Sequence, residues 1–182
     1  MRVLRDAHMP THVLAARQSD QGHCTPPTML PIDATLFEEG FQLNFNIPVP
    51  PGSTAPVPRI DEETRMLTVS LPVISITVPH VESLPLLLLY AMKLETDLIV
   101  LARNLLPGQV LGEFPSLPAM ITFLPPIGHQ DFERIFRFNQ GMRNNTLALV
   151  PRADSLQTVI SNAWNAVAEA RRTRQRETQT GQ

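Results

Sequence analysis

Proline restricts this chain more than any other residue type. It occupies 18 of the 182 positions, against 8 for glycine, so about a tenth of the backbone cannot donate a hydrogen bond. Pro26 and Pro27 stop any helix that begins before them, and the segment 48–60 holds five prolines and one glycine. We therefore expect a flexible N-terminal segment over residues 1–35, with at most one or two helical turns at 9–18, and an extended polyproline-like linker over 48–60.

Two segments alternate apolar and polar residues, which is the period of a half-buried strand. Residues 41–49 place an apolar side chain at every second position, and residues 66–78 repeat the alternation on both sides of Pro72. Because proline cannot donate to a ladder, Pro72 divides the second segment into two short strands or marks a bulge. These segments predict a small antiparallel sheet.

Beyond residue 80 the apolar residues follow the three- and four-residue spacing of amphipathic helices. We expect helices at residues 83–92, 97–106, 116–124, 131–139 and 154–172, with an irregular connection over residues 141–151. The short link between the first two favours an antiparallel helical hairpin. The predicted fold is a single α+β, predominantly helical domain over residues 36–176, in which the small sheet packs on helical hairpins. A disordered tail, residues 177–182, follows it.

Charge excludes one class of protein and leaves one local feature to explain. The chain has 15 basic and 17 acidic side chains and a formal net charge of −2, so it is not a strongly basic nucleic-acid binder. Four arginines nevertheless cluster at the end of the last predicted helix: Arg171, Arg172, Arg174 and Arg176. They complement the negative end of the helix dipole, and they also fit a nuclear import signal or contacts with phosphates.

The residues that could carry chemistry are few and poorly arranged for it. His8, His12, His23 and Cys24 are of the types that bind zinc, but Pro10 disfavours the helix that would align the first two. The sequence contains no nucleophile elbow, phosphate-binding loop, dinucleotide fingerprint or metalloprotease motif. A single cysteine excludes an internal disulfide. We therefore expect no enzymatic activity, no catalytic residue and no cofactor, while metal binding by the histidines and the cysteine stays open.

The sequence also bears on membranes and on the cellular compartment. The most apolar run covers residues 84–92 and is ended by Lys93. A bilayer span needs about 20 apolar residues, and the N-terminal residues lack the apolar stretch of a secretory signal. We expect no membrane partner and a cytoplasmic or nuclear location.

Two stretches of the chain resemble the BTB/POZ family. Residues 11–19 (THVLAARQS) are similar to that family's early histidine-to-LAARS stretch, and residues 74–90 (ISITVPHVESLPLLLLY) are similar to its strand followed by a helix with an LL-x-Y pattern. BTB/POZ modules are protein-interaction domains with a small sheet packed on helical hairpins. The resemblance, which is partial, implies an adaptor that pairs with a second copy of itself.

The second half of the chain resembles the clampless family of basidiomycete fungi. The shared motifs are LLLLYA at residues 86–91, NQG at residues 139–141 and NAWN at residues 162–165, with an arginine-rich exit from the last helix. Members of that family are developmental regulators of the mating-type pathway without catalytic activity. The resemblance implies a fungal regulatory protein.

Together these features predict a non-catalytic protein–protein interaction module in a regulatory or developmental pathway, with self-association through the helical hairpin. The side chains predicted to pack or to contact a partner are Leu86, Leu89, Tyr90 and Trp164. One alternative is a nuclear, transcription-associated protein that contacts nucleic acid through its C-terminal arginines. The other is a small enzyme of unknown class.

Overall fold

The computed structural model of the chain describes residues 9–20, 25–43, 56–113, 116–124 and 126–180. The strands are β1 (His12–Gln18), β2 (Thr28–Ile32), β3 (Arg59–Ile60), β4 (Leu67–Thr68) and β5 (Val73–Val78). The helices are α1 (Ala34–Gly40), α2 (Leu84–Ala91), α3 (Leu98–Leu105), α4 (Gly108–Leu111), α5 (Leu117–Phe123), α6 (His129–Leu149) and α7 (Asp154–Thr180). The predicted α+β, predominantly helical fold class is confirmed.

The larger sheet has three strands in the order β2-β1-β5. β1 pairs with β2 in the antiparallel direction and with β5 in the parallel direction, so the sheet is mixed and the predicted purely antiparallel arrangement is wrong. The helical turns predicted at 9–18 are also wrong, and residues 12–18 and 28–32 of the expected flexible segment are strands. Tertiary pairing explains the difference, because β1 is the central strand and buries Leu14 and Ala16 against the helices.

A second, two-stranded sheet joins β3 to β4 in the antiparallel direction. The division of residues 66–78 into two strands at Pro72 is confirmed by β4 and β5. The strand predicted at residues 41–49 is seen only at Phe41, which forms an isolated bridge with Pro151. The remainder of that segment beyond residue 43, and the linker up to residue 55, lie outside the described residues.

The predicted helices at 83–92, 97–106 and 116–124 are confirmed as α2, α3 and α5. The irregular connection predicted at 141–151 is wrong, because α6 continues to Leu149. Poor helix formers in that stretch gain tertiary contacts that local propensity does not include. The tail predicted to be disordered is also helical as far as Thr180, since α7 continues to that residue.

The core is one cluster of buried apolar side chains to which the three-stranded sheet and α1 to α7 contribute, and the long helices α6 and α7 pack on each other. Within the described residues, α3 and α5 pack mainly on α7, and α2 packs mainly on α6. The expected hairpin of α2 and α3 therefore does not form a closely packed pair. The largest fully buried side chains include Phe37, Phe41, Phe132, Leu84, Leu101, Met120 and Met142. No helix in this part of the chain has the length and hydropathy that a bilayer crossing requires.

The N-terminal elements are fixed to the link between α6 and α7. The Arg152 N–H donates to the Gly40 carbonyl at 2.8 Å, and the Gln42 N–H donates to the Val150 carbonyl at 2.9 Å. The Arg152 guanidinium adds a bond from Nε to the Phe41 carbonyl at 2.9 Å. These contacts join segments more than a hundred residues apart in sequence, so the end of α1 is held against the link between α6 and α7.

Candidate interaction surface

The β3–β4 hairpin has a well-ordered turn. Oδ1 of Asp61 accepts the N–H groups of Glu63 and Thr64 at 2.9 and 3.0 Å. The Asp61 N–H donates to the Met66 carbonyl at 2.9 Å, and Arg65 takes the left-handed conformation with φ of 53°. The backbone hydrogen bonds from Thr64 and then Glu63 lower the pKa of the Asp61 carboxyl, because they favour its charged form. The turn therefore holds its shape through its own hydrogen bonds.

Four large apolar side chains of this hairpin face solvent, and we call them the hairpin surface: Val57, Ile60, Met66 and Leu67. Their exposed fractions run from 57% to 71%. Ile60 and Leu67 are cross-strand partners and share one face of the ribbon. No described residue between 56 and 75 is buried, so the hairpin presents these side chains without contributing to the core.

The three side chains predicted on α2 divide between core and surface. Tyr90 is buried, and its hydroxyl donates to the Asp97 carbonyl at 3.0 Å, which joins α2 to the start of α3. Leu86 packs partly against the core, while Leu89 is 38% exposed. Tyr90 thus serves packing, and Leu89 is the member of the set that a partner could reach.

Trp164 belongs to a row of rings and guanidinium groups between α6 and α7. Its ring centroid lies 5.4 Å from that of Phe136. The Arg143 guanidinium lies 6.0 Å from the Trp164 ring centroid, and the Arg171 guanidinium lies 3.9 Å from that of Phe136. Such cation–π contacts attract through the ring quadrupole. Trp164 therefore has an aromatic and a cationic neighbour on α6 of its own chain.

The four C-terminal arginines do not form one free cationic surface. Arg171 also pairs with Glu133 at 3.6 Å. Arg174 lies 4.3 Å from the centroid of the Phe132 ring and donates to the Ile127 carbonyl. The other two, Arg172 and Arg176, are exposed, and Arg172 pairs with Glu169 at 2.7 Å. Half of the cluster is thus bound to the aromatic side chains of α6.

Sequence reasoning missed a buried polar network between the β5–α2 link and α6. The Ser83 hydroxyl lies 2.9 Å from Nδ1 of His80, and Nδ2 of Asn145 donates to that hydroxyl at 3.1 Å. Ser83 starts α2 as predicted, but its side chain makes no capping bond to the helix. A serine beside a histidine suggests a nucleophile and its base, but Ser83 and Asn145 are fully buried and no substrate can reach them. The pairing of residues 80 and 145 has no sequence signal, because 65 residues separate them.

An open cleft of about 1600 Å³ lies beside α6, between that helix and the ends of α3 and α5. Its charged lining is mixed: Arg103, Arg134, Arg137 and His129 face Glu82, Asp131 and Glu133. Arg134 pairs with Asp131 at 3.2 Å, and both side chains are mostly exposed. Among the described residues that line it there is no serine, threonine, cysteine, lysine or tyrosine. The described lining therefore offers no hydroxyl, thiol or amine nucleophile, and its ionisable groups are carboxylates, arginines and His129.

No protein-family model matches the chain. Comparisons with curated proteins and with solved structures find no match either.

The metal hypothesis rests largely on residues beyond the described ranges. His8, His23 and Cys24 lie outside them, while His12 is buried on β1 with Nδ1 3.0 Å from the Thr11 hydroxyl. Within the described part of the chain, no group of three or more potential ligands comes together. Among the described residues, the hairpin surface groups four of the twelve exposed large apolar side chains within residues 57–67.

Proposed function

We propose that this chain is a non-catalytic protein–protein interaction module that binds its partner through the hairpin surface. The observation that carries the proposal is that the β3–β4 hairpin has an ordered turn and yet leaves its large apolar side chains exposed to solvent. A short ribbon held by Asp61 exposes Ile60 and Leu67 as a cross-strand pair, yet it adds nothing to the core. Ile60 and Leu67 lie side by side on one face of the ribbon, and adjacent exposed apolar side chains mark interaction sites better than apolar side chains scattered singly do.

The charge pattern around the patch supports the same function. The apolar residues are bordered by Arg59, Asp61, Glu62, Glu63 and Arg65. An apolar centre with a charged rim is the usual anatomy of a protein interface. Burying apolar area contributes roughly 25 cal/mol per Å², so a partner with an apolar groove gains free energy from these side chains. The mixed signs of the rim favour a partner of mixed charge over a polyanion.

The biological setting is proposed on the motif resemblance. LLLLYA, NQG and NAWN lie on α2, α6 and α7 respectively, and most of their apolar members pack in the core. On this reading the chain is a fungal developmental regulator that acts by binding other proteins, in the cytoplasm or the nucleus. The nucleic-acid alternative is less supported, because Arg171 and Arg174 have their guanidinium groups over aromatic rings.

A capture experiment with matched variants tests the proposal. The hairpin variant carries Ile60→Ser, Met66→Ser and Leu67→Ser. The control carries Leu94→Ser, Ile99→Ser and Leu147→Ser, which are exposed to a similar degree on other parts of the surface. Both variants should keep the wild-type circular dichroism and melting temperature within a few degrees.

Partners from native extract are then identified by mass spectrometry. We expect proteins that wild type and control both capture and that the hairpin variant loses. Equal capture by all three proteins would contradict the assignment to the hairpin surface. Turnover of a small-molecule substrate by the purified chain would contradict the non-catalytic part of the proposal.

A further inference from the structure

The two outer edges of the three-stranded sheet differ in how many hydrogen-bonding groups they leave open. The Val13 N–H donates to the Pro72 carbonyl and the Ser19 N–H donates to the Val78 carbonyl, both at 3.0 Å. In the parallel register Val13 lies opposite Val73, so the backbone N–H and C=O groups of the even-numbered residues of β5 point toward β1. The N–H and C=O groups of Val73, Ser75 and Thr77 point away from the sheet. Within the described residues these groups make no hydrogen bond.

The opposite edge, on β2, is protected. Val13 lies opposite Pro31, and Ala15 lies opposite Met29. The backbone groups of Pro31 and Met29 point away from β1, whereas those of their neighbours on β2 bond to β1. Pro31 has no N–H, so Met29 supplies the single outward donor within β2. Proline on an edge strand is a common device against unwanted pairing. β5 has no such device, since prolines stand only at its ends, at positions 72 and 79.

The side chains of β5 suit another strand. None is charged, and four of the six are β-branched isoleucine or valine. Val73, Ser75 and Thr77 are exposed on the outer face, while Ile76 is buried and Ile74 is half-buried on the inner face. An edge of this kind, uncharged and rich in β-branched residues, binds an extended chain by strand addition.

We infer that the occupant of the β5 edge is β5 of a second copy of this chain, paired in the antiparallel direction about Ser75. The three outward residues are spaced symmetrically, so a twofold axis at Ser75 sets Ser75 opposite its own counterpart and Val73 opposite Thr77 of the other copy. Each of the three opposed pairs exchanges two backbone hydrogen bonds, and the two sheets become one continuous sheet.

The symmetric register also matches the side chains. It sets Ile74 opposite Ile76 of the other copy on the inner face, so the half-exposed Ile74 gains an apolar neighbour. No like charges meet at the axis, because the strand carries none. A six-residue strand pair buries less area than a standard interface, so the dimer is reversible and its population depends on concentration.

This inference goes beyond the proposed function, because it uses backbone groups of β5 and not the side chains of the hairpin surface. A dimer that fails to form would leave the capture result of the hairpin variant unchanged. Equally, a hairpin variant that captures every partner would still dimerise through β5. The two proposals therefore fail in different experiments.

Cysteine cross-linking tests the register directly. In a Cys24→Ser background, Ser75→Cys sets two cysteines opposite each other at a Cα separation of about 5.5 Å, within the range of a disulfide. Thr77→Cys is the matched control, because the two copies of position 77 lie about 13 Å apart at a rise of about 3.3 Å per residue. A mixture of Val73→Cys and Thr77→Cys proteins should cross-link as a heterodimer.

The readout is a non-reducing gel after mild oxidation of the purified full chain. We expect a dimer band for Ser75→Cys and for the mixture, and monomer for Thr77→Cys alone. Equal cross-linking of Ser75→Cys and Thr77→Cys would overturn the register, because it would reflect random collision.

Light scattering over a concentration series measures the dimer without cysteines. Ser75→Pro removes one outward N–H and leaves the bonds to β1 intact, so it should weaken dimerisation at least tenfold, while Ser75→Ala should not. A wild type that stays monomeric at every concentration would overturn the inference. If partner capture were then lost in Ser75→Pro, the edge would belong to a strand of another protein.

Discussion

Asn145, on α6, hydrogen-bonds both backbone groups of His80, in the link between β5 and α2. Its Oδ1 accepts the His80 N–H at 3.1 Å, and its Nδ2 donates to the His80 carbonyl at 2.6 Å. The same Nδ2 reaches the Ser83 hydroxyl at 3.1 Å. Asn145 is fully buried, so one amide side chain supplies the partners for a backbone turn that would otherwise lose them on folding.

Asn145→Ala should therefore be strongly destabilising. It removes three hydrogen bonds and leaves the N–H and C=O of His80, which are part-buried, without their partner. Leaving buried polar groups unsatisfied costs about 1–3 kcal/mol each, and we expect a loss of about 2–4 kcal/mol in the free energy of unfolding, measured by urea titration. Asn144→Ala, at an exposed neighbouring position on the same helix, is the control and should change stability by less than about 0.5 kcal/mol. Equal midpoints for the two variants would contradict the role of Asn145.

The close approach of α6 to the same link predicts a second effect, at Gly141. A Cβ at this position would lie 2.7 Å from the Cβ of His80 and would overlap its ring. Gly141→Ala should cost about 1–3 kcal/mol through overpacking, although alanine is the better helix former by about 1 kcal/mol.

A double-mutant cycle with His80→Ala separates the two effects. His80→Ala removes the ring atoms that the added Cβ would overlap but keeps the His80 Cβ at 2.7 Å, so Gly141→Ala should cost clearly less in that background while keeping part of its cost. The coupling energy should exceed about 1 kcal/mol, as expected for residues in direct contact. Additive effects of the two substitutions would show that the ring does not restrict position 141.

These contacts also show what the sequence could not predict about the helices. The spacing of apolar residues predicted α2, α3, α5 and the start of α7, because an amphipathic face repeats every three to four residues and can be recognised in a short stretch of sequence. The stretch that begins at Gly141 contains that one glycine and two asparagines, which are typical of a loop. It is helical because Asn145 and Gly141 fit one particular link that lies 61 to 65 residues earlier.

The sheet shows the same limit. The alternation at Ile74, Ile76 and Val78 identified β5, because one face of that strand is buried. The segment VLAA in β1 has no alternation, since Leu14, Ala15 and Ala16 are all buried in the central strand. Among the site residues, Trp164 and the arginines were identifiable by type, but the rings that meet Arg171 and Arg174 depend on the pairing of α6 with α7.

The arginine contacts give a third prediction, which compares Arg171 with Arg172. The Arg171 guanidinium lies over the Phe136 ring and also pairs with the half-buried Glu133. Arg172 has only an ion pair with Glu169, one turn earlier on the same helix. Arg171→Gln should lower the free energy of unfolding by about 1–2 kcal/mol, whereas Arg172→Gln should lower it by about 0–0.5 kcal/mol.

Salt provides the control for that comparison. An exposed ion pair weakens as ionic strength rises, and a contact packed on a ring is screened less. The difference between the two variants, measured by urea unfolding, should therefore persist at high salt. If both arginines had the same small effect, they would be equivalent members of a solvated surface, and the nucleic-acid alternative would gain support.

The fourth prediction concerns pH and Tyr90. Burial first, and then the negative charges of Glu95 and Asp97, raise the pKa of the Tyr90 phenol above its ordinary value of 10.0. The folded chain therefore keeps the phenol proton at pH values where the unfolded chain loses it. By linkage, the contribution of Tyr90 to stability is complete below about pH 10 and falls as the pH rises through the raised pKa.

Tyr90 is the single tyrosine of the chain, so the absorbance of its phenolate reports this titration without interference. Tyr90→Phe removes the hydroxyl bond to the Asp97 carbonyl and should cost about 0.5–1.5 kcal/mol at neutral pH. Above about pH 10 the wild type has an alkaline loss that the variant lacks, so the stability difference between them should shrink as the pH rises. All other titrating groups are common to the two proteins, so the difference in stability between wild type and Tyr90→Phe at each pH reports Tyr90 alone. A phenolate that forms at the same pH in the folded and the urea-unfolded chain would show that the buried contact with Asp97 does not hold the proton.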